Sequence, residues 1–244
     1  MGKTIKNIAK YFILAFLQVI TLAAFGQNEI KIPPDFVETI PTNDFSEKWQ
    51  KLNSSENEFV VKIINGKLEV EQFHGVADCE LKIPGGTLIG INRGEFGGEL
   101  DFKPDNNSKD TLKIVPGARV NFLFNFRNKI YFMAGLCHMG FSNGALYQLE
   151  QTKDGFDYNK LVDFGDCPEA FTIDRDRFLV VTDKNFFIIN GLKKEIVLSK
   201  AFWTGLYPNS IAVADENNVF IGMRGGIAKL NLETKVLTFY ESIK

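Results

Sequence analysis

The stretch Leu206 to Leu232, LYPNSIAVADENNVFIGMRGGIAKLNL, limits the fold more than any other part of the chain. It reads as three short apolar strands, Ser210 to Ala214, Val219 to Met223 and Ile227 to Leu232. Asp215 to Asn218 forms the first turn, and Arg224-Gly225-Gly226 supplies the positive-φ freedom for the second. A strand that is apolar at consecutive positions, as at Val219-Phe220-Ile221, has to be covered on both faces. Stacked sheets meet that demand.

The unit recurs upstream. Pro168 to Ile173 aligns with Pro208 to Val213 at an offset of 40, and Phe178 to Val181 aligns with Val219 to Gly222 at an offset of 41. Phe186 to Asn190 then aligns with Ile227 to Asn231, also at an offset of 41, and Gly90 to Leu100 resembles Gly222 to Leu230 with a longer turn. Between these lies a unit with strands at Ala118 to Phe126, Lys129 to Leu136, Gly144 to Glu150 and Phe156 to Phe164, leaving an expected loop from Leu136 to Asn143. A period of about 40 residues with four strands per unit is the pattern of a propeller blade, which has to stack on its neighbours to bury its faces. Nearer the N-terminus, Phe59 to Ile64 and Leu68 to Phe73 flank Asn65-Gly66, a strong hairpin signal.

The first 26 residues read as a cleaved signal peptide. Lys3, Lys6 and Lys10 form a basic start, Tyr11 to Ala24 is an apolar run too short for an ordinary membrane span, and Ala24-Phe25-Gly26 is a small-x-small cleavage site before Gln27. The expected location is therefore secreted or periplasmic, with no membrane span left after cleavage. Removing those three lysines leaves 25 basic residues against 30 acidic. A net negative chain without a Lys/Arg run argues against nucleic acid and anionic membranes as partners.

The 218 residues that follow Gly26 suffice for one closed domain, and none of them shows a sustained helical period. The class is all-β. Residues 27–45, with Pro33, Pro34 and Pro41, read as an irregular segment, and 46–244 as a propeller of five four-stranded antiparallel blades. Four blades are clear repeats; the N-terminal hairpin, completed by the segment around Trp49, stands as the fifth. An alternative closure lets the N-terminal strands join the last blade at Val236 to Tyr240, which hides its edge. Such a domain is expected to be monomeric.

Pro208-Asn209-Ser210-Ile211-Ala212-Val213, with the acidic turn and Val219-Phe220-Ile221-Gly222 after it, resembles the blade signature of NHL-type and gluconolactonase-like (senescence-marker-protein) β-propellers. Residues 165 to 242 carry the likeness best and 77 to 164 more weakly. The motif is informative about fold and hardly at all about function, since enzymes and passive binding proteins share it. The gluconolactonase-like enzymes generally have six blades, more than this chain holds.

The place to look for chemistry is the mouth of the central channel, where each innermost strand begins. Asp78, Cys79 and Glu80 stand there in one unit, Arg119 in the next, Asp166, Cys167 and Glu169 in the third, and Asn209 and Ser210 in the last. Such carboxylates and an amide oxygen suit a hard divalent cation such as Ca2+. The resemblance implies that Asn209 is a ligand of that ion, with Glu169 its nearest acidic partner. The competing expectation is that Asp166 and Asn209 hydrogen-bond loop amides and lock the turns.

His74 and His138 are the only histidines, and no G-x-S-x-G elbow is present. His138 falls in the expected Leu136 to Asn143 loop, a place where ligands are met. Cys137 and His138, adjacent on a strand, face opposite ways and make a poor chelate. Cys79, Cys137 and Cys167 show no CxxC spacing and are expected as buried, reduced thiols. Gly94-Glu95-Phe96-Gly97-Gly98 and Arg224-Gly225-Gly226 are read as equivalent hairpins, with Glu95 and Arg224 as candidates for one charged rim.

The expected function is that of a secreted, non-catalytic propeller without a cofactor. It binds a protein, peptide or glycan through Glu80, Arg119, His138, Glu169, Asn209 and Arg224. The alternative is a metal-dependent lactonase or esterase, with Glu169 and Asn209 holding a divalent cation in the channel.

Overall fold

The computed structural model describes residues 30–75, 78–106 and 111–244. The expected signal peptide and its cleavage point lie outside the described residues. Among those described, no helix is long and apolar enough to cross a membrane.

The unit Ile32–Lys244 is built almost entirely of antiparallel strands in chain order. A short strand, β1 (Phe36–Thr39), precedes a helix, α1 (Glu47–Asn53), and a hairpin, β2 (Phe59–Ile64) and β3 (Lys67–Gln72). The first sheet follows as β4 (Cys79–Ile83), β5 (Gly86–Asn92), β6 (Gly98–Pro104) and β7 (Leu112–Pro116). The second is β8 (Val120–Phe126), β9 (Lys129–His138), β10 (Phe141–Thr152) and β11 (Gly155–Asp163). The third is β12 (Pro168–Asp174), β13 (Arg177–Thr182), β14 (Phe186–Asn190) and β15 (Lys193–Leu198). The last is β16 (Ser210–Val213), β17 (Asn218–Met223), β18 (Gly226–Asn231) and β19 (Leu237–Ser242), with β1 added beside β19 as a fifth strand.

Among the described residues, four four-stranded meanders are thus present, the last widened to five strands by β1, an all-β arrangement compatible with a propeller. Three apolar cores fill the spaces between consecutive sheets. Leu88, Leu100, Val120 and Phe132 join the first sheet to the second, and Met133, Leu146, Val180 and Phe187 join the second to the third. Leu179, Val181, Val219, Ile221 and the fully buried Trp203 join the third to the last. The doubly apolar strand 219–221 is buried throughout, as its sequence requires.

Repeated glycines let neighbouring sheets approach. A Cβ on Gly222 of β17 would stand 2.2 Å from the Phe59 carbonyl oxygen of β2. On Gly90, the equivalent position of β5, it would stand 2.6 Å from the Val120 side chain of the next sheet. The motif's glycine therefore serves packing, not a turn.

The hairpin turns through Asn65 (φ 51°) and Gly66 (φ 73°), the conformation expected of Asn-Gly. It stays two-stranded, because the Trp49 segment is helix α1 and not a strand. Ser46 caps that helix by accepting the Trp49 N–H at 3.2 Å. Trp49, one helical step from the buried Leu52, donates its indole N–H to the Thr204 carbonyl at 2.8 Å. The segment 27–45 is likewise not wholly irregular. Its run between Pro34 and Pro41 supplies β1, which covers the outer edge of the last sheet.

The Leu136 to Asn143 loop is replaced by a tight turn. β9 and β10 run on to His138 and Phe141, and Met139 (φ 47°) and Gly140 (φ 84°) make a two-residue reversal. The polar character of Ser142 and Asn143 concealed the strand: Asn143 uses its side-chain oxygen to accept the Leu136 N–H at 3.2 Å.

Candidate functional site

The first strands of the sheets begin around one pocket of about 410 Å³. Cys79, Asn121, Glu169 and Asn209 come to it from the first, second, third and last sheets, and Phe73 and Gly75 from the exit of the hairpin. Glu169 and Asn209, equivalent positions of consecutive repeats, are brought together here. Asp78, Asn92 and Phe122 complete its polar and aromatic lining.

The orientation of Asn209 is set by its neighbour. The Ser210 hydroxyl accepts the Val61 N–H at 3.0 Å, which turns its proton toward Asn209 Oδ1 at 2.9 Å. The amide nitrogen Nδ2 is consequently buried without a hydrogen-bond partner. On the other side, Glu169 Oε2 is also buried and unpartnered. Burial first, then the Cys137 thiol and the Asp183 and Asp166 carboxylates, push the Glu169 carboxyl well above the usual carboxylate range.

Behind Glu169 lies a second group. Cys137 Sγ at the end of β9, a carboxylate oxygen of Glu169 and one of Asp183, just after β13, all lie within 4.8 Å of one another. Cys137 turns inward while its neighbour His138 reaches the other way, the alternation expected of a strand. The Cys167 thiol interacts directly with that of Cys137 and favours its ionised form, against burial and with help from the Ser142 hydroxyl at 3.5 Å. Asp183 is raised by burial and then by Asp166, and Lys184 Nζ approaches it at 3.7 Å.

Asp166 is a loop lock. Its carboxylate accepts from Thr182 Oγ1 at 2.6 Å, the Lys184 N–H at 2.9 Å, Asn185 Nδ2 at 3.0 Å and the Cys167 N–H at 3.2 Å, and from the Ser142 hydroxyl. All three thiols are free, but Cys79 and Cys137 are half-buried where full burial was expected. Burial pushes the Cys79 thiol up to about 11.

The remaining sequence candidates lie elsewhere. Glu80 is exposed on β4 and does not line the pocket. Arg119 donates through Nε to the Gly94 carbonyl at 2.6 Å and through Nη2 to that of Glu95 at 3.4 Å. The Glu95 carboxylate meets His138 Nε2 at 2.7 Å, so these residues tie the first sheet to the second. Arg224 pairs with Glu58, donates to the Asn53 carbonyl at 2.7 Å and lies over the Tyr207 ring at 4.4 Å. It fastens α1 and the hairpin to the last sheet; Glu95 and Arg224 thus have separate partners. Asn92, Asn121 and Asp183 were not singled out in the sequence. Asp183 and Asn92 carried a signal, since each occupies in its own repeat the position of Arg224.

No protein-family model matches the chain, and no curated protein matches it.

Proposed function

We propose that the chain is an exported five-bladed β-propeller, with the β2–β3 hairpin as its short fifth blade, that binds the end of a glycan in the pocket between Asn209 and Glu169. The ring is supported by the hairpin, which packs on the last sheet through β2 and lines the pocket beside the first sheet.

The observation that carries the binding reading is Asn209 Nδ2, a buried donor without a hydrogen-bond partner on a residue that lines a space of ligand size. Sugar hydroxyls match the lining: they accept from Asn209 and donate to Asp78, beside the Asn92 and Asn121 amides that bond to each other at 3.2 Å, while Phe73 and Phe122 offer apolar faces. A hard-cation hydrolase would use the Asn209 oxygen, which the Ser210 hydroxyl already engages. That favours the non-catalytic reading.

A glycan array probed with the purified protein tests this, with Asn209→Leu as control. Saturable binding to glycans sharing one terminal residue, lost in the variant, is the expected result. Absence of saturable binding by the wild type, or equal binding by the variant, would refute it.

A further inference from the structure

We infer that Cys137, Glu169 and Asp183 form a site for a borderline-soft divalent cation, zinc before all others, that staples the second sheet to the third behind the pocket. The three residues come from separate strands or strand ends, β9, β12 and the residue after β13, yet their donor atoms gather within 4.8 Å of one another. Around one tetrahedral zinc, with Zn–S near 2.3 Å and Zn–O of about 2.0–2.2 Å, pairs of donors stand about 3.4–3.6 Å apart.

The donor set selects the ion. A thiolate disfavours calcium and magnesium, and one sulfur with two carboxylates suits zinc. A second observation points the same way: Glu169 Oε2 is buried with no hydrogen-bond partner, an arrangement that a cation resolves and that proteins otherwise avoid. Asp166 is not available, since its oxygens are committed to the loop. Binding takes Cys137 as the thiolate and Glu169 as the carboxylate, so the thiol proton and the Glu169 carboxyl proton both pass to the buffer as the Zn–S and Zn–O bonds form.

The site does not depend on the glycan reading, and the two are separable. Cobalt titrated into the reduced full-length protein should produce a thiolate-to-cobalt charge-transfer band with tetrahedral d–d bands, saturating at a single ion per chain and erased by zinc. Cys137→Ser should remove the charge-transfer band, and Asp183→Asn should weaken cobalt binding at least ~10-fold. Asn209→Leu, which is expected to abolish glycan binding, should leave the cobalt spectrum unchanged. A reduced wild-type protein, folded by circular dichroism, that gives no charge-transfer band overturns the proposal. So does a band that survives Cys137→Ser. Should that variant fail to fold, the wild-type spectrum and Asp183→Asn still decide.

Discussion

Asn209 and Glu169 occupy the same place in consecutive repeats, line the same pocket, and each keeps one buried polar atom without a partner. One is an amide nitrogen, Nδ2, and the other a carboxyl oxygen, Oε2. Asn209 itself contributes little to stability, because its one strong bond is to Ser210, which retains Val61. Asn209→Ala should therefore cost only about 1 kcal/mol in urea denaturation. A loss several times larger would mark Asn209 as a structural lock.

Asp166 is expected to behave in the opposite way. Its buried carboxylate gathers donors from Ser142, Cys167, Thr182, Lys184 and Asn185. Asp166→Ala leaves several of them unpaired and should destabilise the protein by about 3 kcal/mol or more, read from the same denaturation curves. A cost under about 1 kcal/mol would show that water replaces the carboxylate freely.

Gly222 tests the packing of the hairpin on the last sheet. A methyl group there would stand 2.2 Å from the Phe59 carbonyl oxygen and 2.5 Å from the Ser210 hydroxyl, which is itself held by the Val61 N–H. Gly222→Ala should cost about 2 kcal/mol through overpacking, with faster hydrogen exchange in β2. Unchanged stability and exchange would mean that β2 is not held against β17.

The repeat, the class and the pairing of Glu169 with Asn209 were legible because they rest on local signals: strand alternation, turn residues and a fixed offset. The Asn65-Gly66 hairpin is the clearest case. Other features depend on contacts distant in sequence. Nothing near Trp49 indicates that Thr204 will receive its indole and favour a helix, and nothing near Phe36 indicates that β19 awaits a partner. The Cys137, Glu169 and Asp183 group was hidden for the same reason, since each member comes from a different strand or strand end and no spacing connects them.

Asp215 should contribute a pH-dependent share of stability. Burial works to raise its carboxyl, but the N–H groups of Asn217 and Asn218 and the Asn218 side chain, at 2.9 Å each, outweigh it and hold the group below its usual value. A carboxyl depressed in the folded state stabilises above its unfolded pKa of about 3.9 and loses that contribution as pH falls through the folded value. Wild type should exceed Asp215→Asn in stability at about pH 7, and the gap should shrink at about pH 3. A gap independent of pH would contradict this account of the turn.

The most direct measurement of the central claim is a nuclear magnetic resonance titration that follows the side-chain amide of Asn209 while a glycan bound on the array is added. The Asn209 side-chain resonances are expected to shift saturably, together with the backbone amides of Asn121 and Glu169 from the neighbouring sheets. Saturable shifts confined to residues outside this pocket, with the Asn209 side chain unmoved, would contradict it.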